Sequence, residues 1–111
     1  MRRVVIESPL AGDTARNKLY ARMALRDCLA RGEAPLASHL LYTQVLDDQV
    51  PDERTLGINA GFAWNQMADA VVVYTGLGIT PGMELGIADA ASRGTPVEYR
   101  DLTPPPAPAA L

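Results

Sequence analysis

Two short β-branched runs, Arg3–Glu7 (RVVIE) and Ala70–Tyr74 (AVVVY), each lead through a glycine-bearing loop into a long segment of helical periodicity. Apolar runs this short, with no polar alternation, are strands buried on both faces. Strands of that kind belong to parallel sheets covered by helices. After the first run, Ser8-Pro9-Leu10-Ala11-Gly12 breaks the strand. Asp13 or Thr14 then caps a helix that runs to Arg31 and stops at Gly32. Within it Leu19, Met23 and the row Tyr20, Ala24, Cys28 recur at helical spacing, with Lys18, Arg22 and Arg26 on the other side.

Ala34–Ala37 is a second, proline-containing strand. Leu40, Leu41, Val45 and Leu46 form a short helix or turn closed by Asp47-Asp48. Pro51-Asp52 opens a second long helix with an expected apolar face of Leu56, Ala60, Ala63, Trp64 and Met67. The glycine-rich loop Thr75–Pro81 (TGLGITP) follows the AVVVY strand. Thr80 as cap and Pro81 at the first helical position start a third helix, which ends at Arg93-Gly94. Pro96–Tyr99 is a last strand, and TPPPAPAAL closes the chain. Strands alternating with helices give an α/β, three-layer, flavodoxin- or Rossmann-like fold. Its parallel sheet has four to five strands, with the first strand near the middle. We expect one domain over residues 1–102 and a flexible Pro/Ala-rich tail over 103–111.

The chain has 111 residues, 10 basic and 13 acidic, a net charge of −3 and 48% hydrophobic residues. No apolar run approaches the roughly 20 residues of a membrane span, and no signal peptide is visible. A single cysteine, Cys28, excludes an internal disulfide framework and fits a reducing, cytoplasmic setting. With His39 as the single histidine, no Cys/His set exists for a structural zinc, and no metal or cofactor is expected. The mild acidity and lack of a Lys/Arg cluster argue against binding a nucleic-acid polymer. The thin core of so small a sheet leads us to expect a homo-oligomer, a dimer or larger.

In such a sheet the ligand crevice lies beyond the carboxyl ends of the strands. Glu7–Gly12, Ala37–Leu41 and Thr75–Glu84 should converge there. Ser8–Gly12 leads into a helix N-terminus, where backbone N–H groups favour a phosphate or carboxylate, yet it also reads as a plain strand-to-helix turn. In GLGITPGME, Gly82 lets a ligand approach the first helical turn. Glu84 is either a carboxylate favoured by the helix dipole or an ionised nucleophile. A capping box needs its partner at the third helical position, which is Met83, so Glu84 falls one residue late for that job. His39 reads first as a hydrogen-bonded structural histidine, and its place after a strand end makes it a candidate. Asp48 and Arg54 either orient a ligand or are solvated. Phe62 and Trp64 read as packing, and Tyr20 and Tyr42 fit either role.

The pieces VVIESPLAG, ARNKLYAR, SHLLYTQVLDD, MADAVVVY and ITPGMELGIADAASRGTPV, over about residues 3 to 100, resemble the nucleoside 2-deoxyribosyltransferase-like superfamily. That superfamily includes nucleotide N-glycosidases, and the SHLLYTQVLDD segment is similar to small, often phage-encoded members. The resemblance implies cleavage or transfer of the N-glycosidic bond of a nucleoside or nucleotide. Glu84 would attack the anomeric carbon and hold the sugar as a glycosyl-enzyme. Ser8 and Gly12 would match the loop around the sugar or 5′-phosphate, and Tyr20 a helix tyrosine near the sugar. Asn17, His39, Asp48, Thr80 and Gly82 complete the candidate substrate-binding set. Two positions depart from the pattern. Asn59-Ala60-Gly61-Phe62 lacks the aspartate that assists the base, and Leu10 stands where the nucleotide hydrolases carry a basic residue. The alternative is a binding protein that holds a nucleotide or ADP-ribose-like metabolite without turning it over.

Overall fold

The computed structural model describes residues 1–106, so the part of the expected tail at 107–111 lies outside the described residues. The elements are β1 (Arg2–Glu7), α1 (Thr14–Ala30), β2 (Glu33–Leu36), α2 (Ser38–Leu41), a 3-10 turn (Tyr42–Gln44), α3 (Pro51–Asn65), β3 (Ala70–Tyr74), α4 (Pro81–Ser92) and β4 (Val97–Arg100). The four strands are parallel in the order β2-β1-β3-β4, registered by Val4 against Pro35 and Ala70, and by Val71 against Val97. Both apolar runs are therefore central strands. Proline-bearing β2 lies at an edge, where a missing N–H costs least.

Alternating side chains divide the core into two layers. Val4, Ile6, Ala70, Val72 and Tyr74 meet Tyr20, Ala24 and Cys28 of α1 on one face. Val5, Val71 and Val73 meet Met83 and Ala90 of α4 on the other. The capping signals hold at residue level. Asp13 accepts from the Arg16 N–H at 3.2 Å, and Gly32 and Gly94 take the positive φ that ends α1 and α4.

The face of α3 is corrected. Leu56, Trp64 and Met67 are 59%, 48% and 59% exposed, and Ala63 is exposed too. The buried side of α3 carries Gly61 and Asn65 instead. Its reason is close packing, since a β-carbon at Gly61 would stand 2.6 Å from Ser38 Oγ, so only glycine lets α3 approach α2. On α1, Leu19 also points outward, while small Ala21, Ala24 and Cys28 face the sheet.

The α1 face of the sheet ends in charge where apolar side chains run out. Arg100 donates two 2.7 Å hydrogen bonds to Glu33, while Arg2 reaches Glu33 at 3.0 Å and Glu98 at 2.7 Å. The Tyr74 hydroxyl donates to Asp27 at 2.7 Å and accepts from Arg100 at 3.2 Å. Beyond β4 the chain turns back over α1. Leu102 packs against the core, its carbonyl accepts from the Tyr20 hydroxyl at 2.9 Å, and the Pro105 carbonyl accepts from Arg16 at 2.9 Å.

Candidate active site

A cavity opens beyond the C-terminal end of β1. Its walls are the β1–α1 loop, α2 with the 3-10 turn, the inner side of α3 and the first turn of α4. Leu46, Ile58, Phe62 and Met83 make it apolar, and Glu7, Ser8, His39, Asp48, Arg54 and Thr80 supply the polar groups. A mostly apolar recess with a few convergent polar groups is the usual form of a small-molecule site.

Ser8 and His39 meet here, with Oγ and Nε2 hydrogen-bonded at 2.7 Å. Burial holds the His39 pKa down at about 4, so the imidazole is neutral at neutral pH and carries one donor and one acceptor. Asp48 and Arg54 face each other across the mouth at 3.8 Å. Thr80 accepts from the Met83 N–H at 3.2 Å, and the Met83 sulfur accepts from the Thr80 N–H at 3.4 Å. The thioether thus fills the place of the usual capping-box carboxylate, which leaves Glu84 without a capping duty.

Ser8, His39, Asp48, Thr80 and Gly82 all line the cavity. Gly12, with a φ of +98°, instead lines a second, more open depression next to it, between the β1–α1 loop and residues 43–49. Asn17 is buried and donates to the Leu10 and Ala11 carbonyls at 3.0 and 2.8 Å, so it holds the β1–α1 loop from behind. Tyr20 is fully buried, and its hydroxyl accepts from the Gly76 N–H at 2.9 Å. Its contacts fix the loop ahead of α4 rather than reaching the cavity. Glu84 stands exposed on the first turn of α4, one residue past the cavity-lining Met83, and does not itself line the cavity.

Glu7 was not singled out by sequence reasoning. It shares its face of β1 with Val5, and its carboxyl lies against the α-carbon of Gly86, where a β-carbon would collide with it. Desolvation, and secondarily the charge of Asp89, pushes its pKa up to about 8. A carboxylate closing a buried run reads as the strand end, and only the cover supplied by α4 makes it a partly buried acid.

The fold, a four-stranded parallel sheet covered by helices, is shared with solved structures. A 2-deoxyribosyltransferase from Bacillus psychrosaccharolyticus superimposes with a TM-score of 0.66 at 16% identity, over 91% of this chain and 73% of that one. The CMP N-glycosidase of Clostridium botulinum superimposes with a TM-score of 0.56 at 15% identity, over 88% and 70%. At these identities the likeness establishes the fold. No curated protein matches the sequence. Residues 2–100 match the family described as a domain of unknown function, DUF7768, and the chain belongs to that family. Among the described residues no helix is long and apolar enough to cross a membrane.

Proposed function

We propose that this chain binds a nucleoside or nucleotide at the β1 cavity and cleaves or transfers its N-glycosidic bond, with Glu84 as the nucleophile. The observation that carries the proposal is the double duty of the first turn of α4. Thr80, Gly82 and Met83 form cavity wall, and the next residue is a solvent-facing carboxylate with no partner among the described residues. Gly82 keeps the wall low beside that carboxylate, which sits at the positive end of the α4 dipole. The names of the two structural neighbours, a deoxyribosyltransferase and an N-glycosidase, agree with the reading.

The apolar walls suit the faces of a nucleobase, while Ser8 and neutral His39 offer hydrogen bonds to its edge or to the sugar. Attack by a Glu84 oxygen on the anomeric carbon forms a glycosyl ester as the bond to the base nitrogen breaks. Water, or a second base, then resolves the ester, as in retaining glycosidases. The substrate is a small molecule, not a nucleic-acid polymer. The free Cys28 thiol suits a reducing, cytoplasmic setting.

In a thermal-shift screen of nucleosides, nucleotides and ADP-ribose derivatives, at least one compound should raise Tm. Chromatography should then show free base. Glu84→Ala should lower its release at least about a thousandfold while the Tm shift persists. Equal release by variant and wild type, or none by either, would defeat the proposal. The alternative, binding without turnover, draws on the position of Glu84 outside the cavity. Intact ligand recovered after prolonged incubation with wild type would establish it.

Self-association belongs to the same proposal. Exposed Leu56 and Trp64 on α3, with Met67 just after it, give a second copy an apolar surface that would supplement the thin four-stranded core. Sedimentation should show a dimer or larger species, and a monomer at working concentration would remove this part.

A further inference from the structure

Glycosidic cleavage needs more than a nucleophile, because a nucleobase leaves poorly as an anion. The α3 segment Asn59-Ala60-Gly61-Phe62 contributes no carboxyl group to the cavity. Of the carboxyls that line the cavity, Asp48 faces Arg54, Glu53 accepts from the Asp47 N–H at 3.3 Å, and Glu7 stands on the opposite wall. Glu7 closes β1, faces the cavity beside Val5 and Met83, and meets no hydrogen-bond donor among the described residues.

Resting on the glycosidic reading above, we infer that Glu7 is the general acid of this site, giving its proton to the nucleobase as the bond to the sugar breaks. Its seat is built for a carboxyl. The side chain packs on the bare α-carbon of Gly86, and any larger residue there would drive it off. Gly86 follows Glu84 by two positions and Gly82 by four, so one stretch of α4 shapes the cavity wall, carries the nucleophile and seats the acid. The charged and titratable groups around Glu7 are Asp89 on α4, His39 on α2, Glu53 and Arg54 on α3, and Asp48 ahead of it. Asp89 is engaged by Arg93 at 2.9 Å and Asn65 at 2.9 Å, and Arg54 is turned to Asp48. Among the described residues no cation is therefore directed at Glu7 to hold it ionised. Desolvation keeps it protonated to about pH 8, which is the state a donor needs at neutral pH.

The step balances. The electron pair of the C–N bond goes to the base nitrogen, which takes the Glu7 proton, while a Glu84 oxygen bonds to the anomeric carbon. In the second half the Glu7 carboxylate takes a proton from the water that opens the ester. Both residues return to their starting states, and the net change is hydrolysis to free base and sugar.

The test is base release by wild type and Glu7→Gln from whichever compound of a nucleoside and 5′-nucleotide panel wild type turns over. Glu7→Gln should lose about a hundredfold or more in kcat with KM little changed. Wild-type kcat should fall above about pH 8, and the variant should lack that limb. In intact wild type, carbon-13 NMR of the side-chain carboxyls should show one titrating near pH 8 that is missing from Glu7→Gln. Activity of Glu7→Gln within a few-fold of wild type overturns the inference while leaving Glu84 chemistry standing. So do wild-type carboxyls that all titrate in the ordinary acidic range. An inactive wild type removes the glycosidic reading and the acid role together, and is told apart because no variant is needed to see it.

Discussion

Glu33→Ala should lower the unfolding free energy by about 3–5 kcal/mol, a large share of the stability of a domain this size. The Arg100 and Glu33 side chains are 9% and 7% exposed and joined by two 2.7 Å hydrogen bonds. Removing the carboxylate leaves an enclosed guanidinium. Glu98 at 3.3 Å, the Tyr74 hydroxyl at 3.2 Å and the Tyr74 ring at 5.8 Å compensate it only in part. The penalty comes from stranding one partner. The double variant Glu33→Met with Arg100→Leu should therefore recover most of the loss, because a buried pair stabilises little relative to apolar packing. Urea denaturation of wild type and both variants decides it, and a single variant within about 1 kcal/mol of wild type, the typical effect of a point mutation, would show that Glu98 and Tyr74 carry Arg100 without Glu33.

Between pH 6.5 and 8 wild type should lose about 1.5 kcal/mol of stability relative to Glu7→Gln. In this window the unfolded chain has already released the Glu7 proton, while the folded chain holds it to about pH 8. The folded state binds the extra proton, so stability falls as pH rises. His39 acts lower. Its imidazole charges in the unfolded chain below pH 6.5 but stays neutral in the fold to about 4, so it costs stability as pH falls through that range. The side-chain hydrogen bonds that hold Asp27, Glu33 and Glu98 low make their contributions vanish only in acid. Burial of the Cys28 thiol pushes its titration upward, away from the window. Urea midpoints at pH 6.5 and 8 isolate Glu7, and equal slopes for the two proteins would show that it is ionised throughout.

The fold was legible where the chain uses bulk and punctuation. β-Branched runs gave the two central strands, and Asp13, Gly32, Thr80, Pro81 and Gly94 marked helix ends because each satisfies a specific orphan group or dihedral. Helix faces were less legible. Hydropathy assigns Leu56, Trp64 and Met67 to the core, whereas α3 buries its small side so that backbones can approach. The same inversion places Leu19 outside and Ala21 inside on α1. In the site, counting from the cap showed that Glu84 has no capping task, and strand-end logic brought Ser8 and His39 together. Glu7 was hidden, because its character depends on Gly86, which lies 79 positions along the chain, a separation read directly from the numbering. No local pattern records what will close over a side chain.

One hydroxyl ties the segment after β4 to the rim of the cavity. Tyr20 is held by the Leu102 carbonyl on one side and holds the Gly76 N–H on the other. Gly76 begins the short span that delivers Thr80 and the first turn of α4. Residues after β4 thus act as a tether with its anchor on α1 and its load on the rim. Any partner that grips residues 101–105 would pull, through that phenol and through the Leu102 carbonyl set against Gly76, on the loop that leads to Glu84. Such an attachment point turns a segment outside the sheet into a lever.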